Sequence, residues 1–274
     1  MRQIPPVILS VVISIALFAG CNSNDFQTEK ESLISEKVLK KLKDFNINTK
    51  DVTTVIRHYP DGTSENLFLV EGDIYLSYDQ IMNFEKIGEQ LGRNYRTSNL
   101  VDLNTNIKIM GYTASSFGLS TTEQNALVLA VENYNELNLD ITFILSFGTD
   151  LSDKDMVVFN DTFASGAGGS ASFPSNGKPN KWIEIHGLSN FSIDVIEHVI
   201  THEIGHSIGF RHTDWQTRQS CGENVNEGDA GVGAIPIPGT SAGYDPTSLM
   251  LACFNSNASG EFNQNDKIAL NYMY

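Results

Sequence analysis

The stretch His202-Glu203-Ile204-Gly205-His206, followed by Gly209 and His212, constrains this 274-residue chain more than any other feature. Ile193, Ile196, Ile200, Ile204 and Ile208 recur at helical spacing, so the stretch lies on a long helix that starts at about Ile193, is capped by Ser192 and turns its isoleucines to the core. His202 and His206 are then one turn apart on one face, where both imidazoles can reach one metal ion. Glu203 projects beside them, placed to take a proton from a metal-bound water. Gly209 falls where the helix must end, because glycine tolerates the left-handed backbone of a C-cap, and the chain can then turn back to bring in His212. Three neutral nitrogens and one open position are the pattern of a catalytic zinc site, whereas a structural site is closed. A histidine pair at helical spacing is, by itself, usually a packed or solvated face. A chance match at five fixed positions is expected only on the order of once in 10⁵ such sequences, which favours the metal.

From His202 to His212 the sequence matches the metzincin signature, and His202-Glu203-Ile204-Gly205-His206 spells the motif of the dual-action HEIGH metallopeptidases, which the chain therefore resembles over roughly 100–274. Ser248-Leu249-Met250 looks like the methionine turn of metzincins, with Met250 beneath the ligands, and the stretch from Phe262 to Tyr272 is similar to the closing helix of matrixin catalytic domains. Asp214 falls where metzincins carry a family-distinguishing residue; it is either a support for the floor of the site or a surface aspartate. Gly168 to Phe173 resembles the edge strand on which metzincins pair an extended substrate, the other reading being a flexible loop. The resemblance implies an α/β (α+β) metzincin-type domain: a twisted mixed sheet, a backing helix, the active-site helix and a small C-terminal subdomain. It also implies one catalytic Zn²⁺ on His202, His206 and His212, with Glu203 as general base and acid on a protein or peptide substrate. Ala252 stands where astacins place a further, mobile tyrosine ligand, and of the set that holds a structural zinc in matrixins only His186 is present, so one zinc is expected. His198, one turn before His202, reads as a packed or capping residue, and His58 has no partner in sequence.

Outside this constellation the chain begins with Arg2, an apolar run from Val7 to Ala19 and then small residues before Cys21. The run is short for a spanning helix and reads as a signal peptide over 1–20. Leu17 to Cys21 resembles a bacterial lipoprotein cleavage site, with Phe18 where a smaller aliphatic residue is usual, so Cys21 is expected to carry a lipid. Export and anchoring at a bacterial membrane or surface follow, or else plain secretion, with the membrane contacted only through that lipid. Three cysteines are an odd number for an exported chain. With Cys21 lipidated, Cys221 and Cys253 are left to pair in an oxidising compartment, or to remain as two free buried thiols. A net charge of −15 argues against a nucleic-acid partner and suits solubility outside the cell. A monomer is expected.

Residues 21–95 read as a tether followed by a small unit: a helix over about 31–45, strands over 52–56 and 66–70 joined at Pro60-Asp61-Gly62, and a helix over 77–91. Residues 96–274 hold the peptidase-like domain, with strands over 106–112, 140–147, 156–159 and 182–186, helices over 121–137 and from Gln264 to Met273, and a loop or irregular edge over 165–179. No cysteine lies in 22–95, so a cysteine switch is excluded. Val70-Glu71-Gly72-Asp73-Ile74 resembles the astacin propeptide motif in which an aspartate occupies the zinc, with Val70 in place of phenylalanine. Asp73 is thus a candidate latch, or simply part of a turn between strands. A non-catalytic surface lipoprotein that keeps the fold for binding is one rival function, and the intact Glu203 argues against it; a zinc-dependent hydrolase of something other than peptides is another, and the edge-strand resemblance favours peptides.

Overall fold

The computed structural model describes residues 34–84, 94–223, 235–240 and 244–274, and Ile34–Tyr274 form one compact unit. The expected signal peptide and Cys21 lie outside the described residues. In chain order the elements are α1 (Glu36–Asp44), β1 (Thr53–His58), β2 (Ser64–Val70), β3 (Ile74–Leu76), α2 (Tyr78–Met82), β4 (Tyr95–Arg96), β5 (Thr105–Tyr112) and α3 (Thr121–Asn135). They continue with β6 (Ile141–Gly148), β7 (Met156–Asn160), β8 (Gly168–Ser170), β9 (Trp182–His186), α4 (Ile193–Ile208), β10 (Phe210–Arg211), β11 (Ile235–Pro236) and α5 (Gln264–Met273).

A five-stranded mixed sheet in the order β6-β5-β7-β9-β8 is the frame. Its first four strands run parallel and β8 is antiparallel at the edge. Parallel strands need both faces covered, and Met156 to Phe159 are accordingly buried throughout. One face meets α3 and α4 through Ile107, Ile109, Ile183 and Ile185; on the other, Met110, Val157 and Phe159 meet Tyr59, whose ring stacks on Trp182 at 4.8 Å.

Every residue of α4 from Val195 to Ile208 is buried, as expected of a helix that is apolar nearly all round and passes through a core. Ser192 caps it by accepting from the Val195 amide, and Gly209 ends it with φ +113°. A side chain at Gly209 would also come within 2.7 Å of Leu100, so both conformation and space require glycine. α3 packs on α4 and on β6, with Tyr134 donating to the Thr201 carbonyl at 2.8 Å.

The N-terminal residues form an antiparallel sheet, β1-β2-β3, over their own cluster of Val38, Leu42, Ile47, Val70, Ile74, Leu76 and Ile81. Phe173, from beyond β8, completes that cluster. The hairpin turns at Pro60-Asp61-Gly62 as expected, Gly62 having φ +82°. Three differences from the sequence expectation stand out. The first helix starts at Glu36, where the Ser35 hydroxyl supplies the cap. The helix expected over 77–91 ends at Met82 with Asn83 as C-cap, and residues 85–91 lie outside the described residues. The irregular edge expected over 165–179 contains β8 and then pairs Ala171 with Ile74, in the short strand β3 that sequence patterning did not reveal. Three residues are too few to show a period of two.

Cys221 and Cys253 form a disulfide, tying the chain after His212 to the chain after Met250. Asp214, 4% exposed, works beside it: one carboxylate oxygen accepts from Ser220 and the other from the Ala252 amide. It therefore supports the floor and is no surface residue. Among the described residues no helix is long and apolar enough to cross a membrane.

His198 is a packed residue, as its position suggested, with its Nδ1–H donating to the Ser259 carbonyl at 2.8 Å. Burial outweighs that bond and lowers its pKa from 6.5 to about 4. The folded chain thus resists a proton that the unfolded chain accepts below about pH 6.5. Stability should fall as pH drops through this window and level off below about pH 4. We predict that the native chain loses about 3 kcal/mol more than His198→Asn between pH 7 and pH 4, measured by denaturant unfolding at both pH values.

Candidate metal centre

Helix α4 presents His202 and His206 on one face, and the turn at Gly209 followed by β10 brings His212 opposite them. The Nε2 atoms of His202 and His206 are 2.9 Å apart, and those of His206 and His212 3.2 Å apart. Each ring is fixed from behind. Nδ1 of His202 faces the Leu249 carbonyl at 3.0 Å and Nδ1 of His206 the Phe210 carbonyl at 2.9 Å. A carbonyl can only accept, so both Nδ1 atoms carry the proton and both Nε2 atoms offer a lone pair to the common centre. Nδ1 of His212 faces the Glu71 carboxylate at 3.1 Å, with the same consequence. Three inward lone pairs repel one another, and a cation at their focus turns that repulsion into attraction.

Asp73 closes the group. Its Oδ2 lies 2.9 Å from Nε2 of His212, 3.5 Å from that of His202 and 4.0 Å from that of His206. One ligand atom from each of the four residues fits within 4.8 Å of the others. The Asp73 Oδ1 and Glu203 Oε2 atoms are both buried without a hydrogen-bond partner. Two unpartnered carboxylate oxygens beside three imidazole lone pairs fit a divalent cation that prefers nitrogen and oxygen ligands.

Glu203 is 2% exposed, and burial, then the nearby Asp73 carboxylate, push its pKa well above the usual range. Its carboxyl reaches the cleft because Gly169 on β8 has no side chain: a Cβ there would stand 2.6 Å from Cγ of Glu203 and 3.0 Å from the Glu184 carbonyl. Met250 packs against α4 at Gly205, the residue before His206, where a Cβ would stand 2.7 Å from its sulfur. Above the group opens a cleft of about 460 Å³, lined by Gly168, Phe191, Val199, Leu251, Cys253 and Phe254 among others.

The sequence model of the dual-action HEIGH metallo-peptidases matches residues 68–274, more than half of the chain. The chain belongs to that family. It is therefore a metallopeptidase with zinc as its cofactor, and the four-residue group is where that ion can be held. Its fold has the mixed α/β architecture expected of a metzincin-like domain. Two solved structures are similar. One, described as the crystal structure of myroilysin, is 15% identical with TM-score 0.39, covering 64% of this chain and 86% of that one. The other, described as the structure of myroilysin, is 14% identical with TM-score 0.38, covering 68% and 90%. No curated protein sequence matches.

The structure brings together His202, His206, His212, Glu203 and Asp73, with Met250 against α4 at Gly205 and Cys253 of the Cys221–Cys253 bond in the cleft wall. It leaves His198 on Ser259, puts His58 at the surface, and sets His186 against Glu184 at 3.0 Å. The sequence placed Glu71 and Gly169 within motifs without giving either its role here, and gave no sign of Arg211. Nothing in the order of residues separates Glu71 from an ordinary turn glutamate, or Gly169 from its glycine-rich neighbours.

The close approach at Gly169 generates a direct test. Gly169→Ala should cost at least tenfold in peptide hydrolysis while zinc content, measured by elemental analysis, stays at the native level, because it displaces Glu203 and none of the histidines.

Proposed function

We propose that this metallopeptidase is an exported, surface-anchored endopeptidase that hydrolyses peptide bonds by activating water, with Glu203 as general base and acid and its N-terminal segment as a latch. One observation carries the reading: three Nε2 atoms meet at one point, and an unpartnered carboxyl oxygen of Glu203 stands beside them at an open cleft. His202, His206 and His212 would hold the ion. When bound, zinc lowers the pKa of a coordinated water towards about 7 and polarises the scissile carbonyl. Glu203 takes the water's proton at its free oxygen and later delivers it to the leaving amine, a contribution of typically 10²–10⁴-fold. Gly168 to Phe173 would pair the substrate's main chain, with the apolar cleft wall of Phe191, Val199 and Leu251 beside the bond to be cut.

Asp73 supports the latch. It sits where water and substrate would come, and its neighbours use the same sheet edge: Tyr75 donates to the Ala171 carbonyl at 2.8 Å, and the Ala171 amide donates to the Asp73 carbonyl at 3.0 Å. On this reading residues 21–95 include an inhibitory segment, Cys21 carries the lipid anchor, and the chain works as a monomer. The segment reading and the turn reading of Asp73 are compatible, since Gly72 beside it has φ +94°.

The experiment is hydrolysis of an unfolded protein by the native chain, Glu203→Gln and Asp73→Ala, with zinc determined on all three. We expect Glu203→Gln to retain zinc and lose activity by 10²–10⁴-fold, and Asp73→Ala to exceed the uncleaved native chain. A Glu203→Gln protein as active as the native one would remove Glu203 from the mechanism, and unchanged activity in Asp73→Ala would remove the latch.

A further inference from the structure

The three histidines are not supported alike. His202 and His206 are held through Nδ1 by backbone carbonyls of Leu249 and Phe210, which belong to the loop and strand around α4. His212 is held by a carboxylate, and that carboxylate comes from the N-terminal segment, two residues before Asp73.

Glu71 is built for this contact. It has φ +54°, a conformation that residues with a side chain seldom adopt, and its side chain is fully buried. One carboxylate oxygen accepts from Arg211 at 2.5 Å and from the Asn48 amide at 3.0 Å, leaving the other to face Nδ1 of His212 at 3.1 Å. Its own carbonyl accepts from Arg218 at 2.8 Å. Four polar contacts thus fix a strained residue, which no ordinary turn requires. An acid behind a metal-binding histidine sets the tautomer, orients the ring and raises its strength as a ligand, and loss of such a partner typically costs 10–100-fold in metal affinity.

We propose that Glu71 is a positioning residue for the metal site: through His212 it holds the third imidazole toward the ion, so the segment that carries the latch also strengthens zinc binding. This rests on His202, His206 and His212 being the zinc ligands, and not on Asp73 being inhibitory. Asp73 and Glu71 hold opposite sides of one imidazole ring, one at Nε2 and one at Nδ1. Displacing the segment as a whole would free the ligand position and at the same time remove the support behind His212.

The test is zinc affinity of the full chain, measured by chelator competition on the native protein, Glu71→Gln and Asp73→Ala. Glu71→Gln can keep a hydrogen bond to the Nδ1–H but loses the charge. We expect it to bind zinc about tenfold more weakly with the cobalt(II)-substituted absorption spectrum shifted, while Glu71→Asp, which keeps the charge at shorter reach, recovers part of the loss. A folded Glu71→Gln chain with native affinity and native cobalt spectrum would overturn the proposal. Should the variants fail to fold, the native zinc-loaded chain decides. With ¹⁵N-labelled histidine, the His212 Nδ1–H proton should resonate well downfield of those of His202 and His206, as a carboxylate-bound proton does, and three alike would reject Glu71 as its partner. If no form of the chain binds zinc, the ligand assignment fails before Glu71 comes into question. A change confined to Asp73→Ala would uphold that assignment and reject the role of Glu71.

Discussion

Three imidazole nitrogens facing one centre, those of His202 and His206 2.9 Å apart and those of His206 and His212 3.2 Å apart, all with their protons committed to the far side of the ring, are the arrangement on which the rest of this molecule depends. Without a cation the lone pairs would push the rings apart, and each outward proton needs a fixed acceptor to prevent the tautomer from changing. The fold supplies those acceptors at three separate places. The loop before α5 offers the Leu249 carbonyl, β10 offers Phe210, and the N-terminal segment offers Glu71. Each place is itself anchored. The Asp266 carboxylate receives Ser248 Oγ and the Leu249 amide, and Asp214 joins Ser220 to Ala252. The buried helix α4 is the common base from which these supports are measured.

The same logic explains why charged residues lie deep between the N-terminal sheet and the rest of the unit. Arg57 on β1 pairs with Glu184 on β9 and with Asp161 at 3.2 Å, and its guanidinium lies 4.7 Å from the Tyr75 ring centre. Glu71 pairs in the other direction, with Arg211. Charges are therefore exchanged across one contact, a cation sent each way and a carboxylate waiting. Removing one partner of such a buried pair typically costs 3–5 kcal/mol, so residues 34–84 are held by more than their apolar cluster. A segment held in this way is suited to occupy the sheet edge at Ala171 and the metal group at Asp73 together.

Much of this was legible in the order of residues, and the legible parts share a physical reason. Helix α4, its Ser192 cap and its Gly209 stop carry strong local signals, and α5 appears over Gln264–Met273 as read. β9 likewise spans Trp182–His186, because a short apolar run between turn residues has few alternatives. Asp73 was read from a motif and lies at the metal group, although a motif cannot give the distance. What escaped was set by long-range packing. β3 takes its strand form from pairing with β2 and from the bridge to Ala171. Gly169 matters because Glu203 comes from a helix thirty-odd residues later, and Glu71 because Arg211 and His212 come from far along the chain. No local pattern records such meetings.

The most direct measurement is X-ray absorption at the zinc edge on the uncleaved full-length chain, together with its metal content. One zinc per chain, in a shell of three imidazole nitrogens at about 2.0–2.1 Å and oxygen at about 2.0–2.2 Å, is the predicted result. A chain that binds no zinc, or a shell with fewer than three imidazoles or with sulfur, would contradict the assignment of His202, His206 and His212 from which every other functional statement follows.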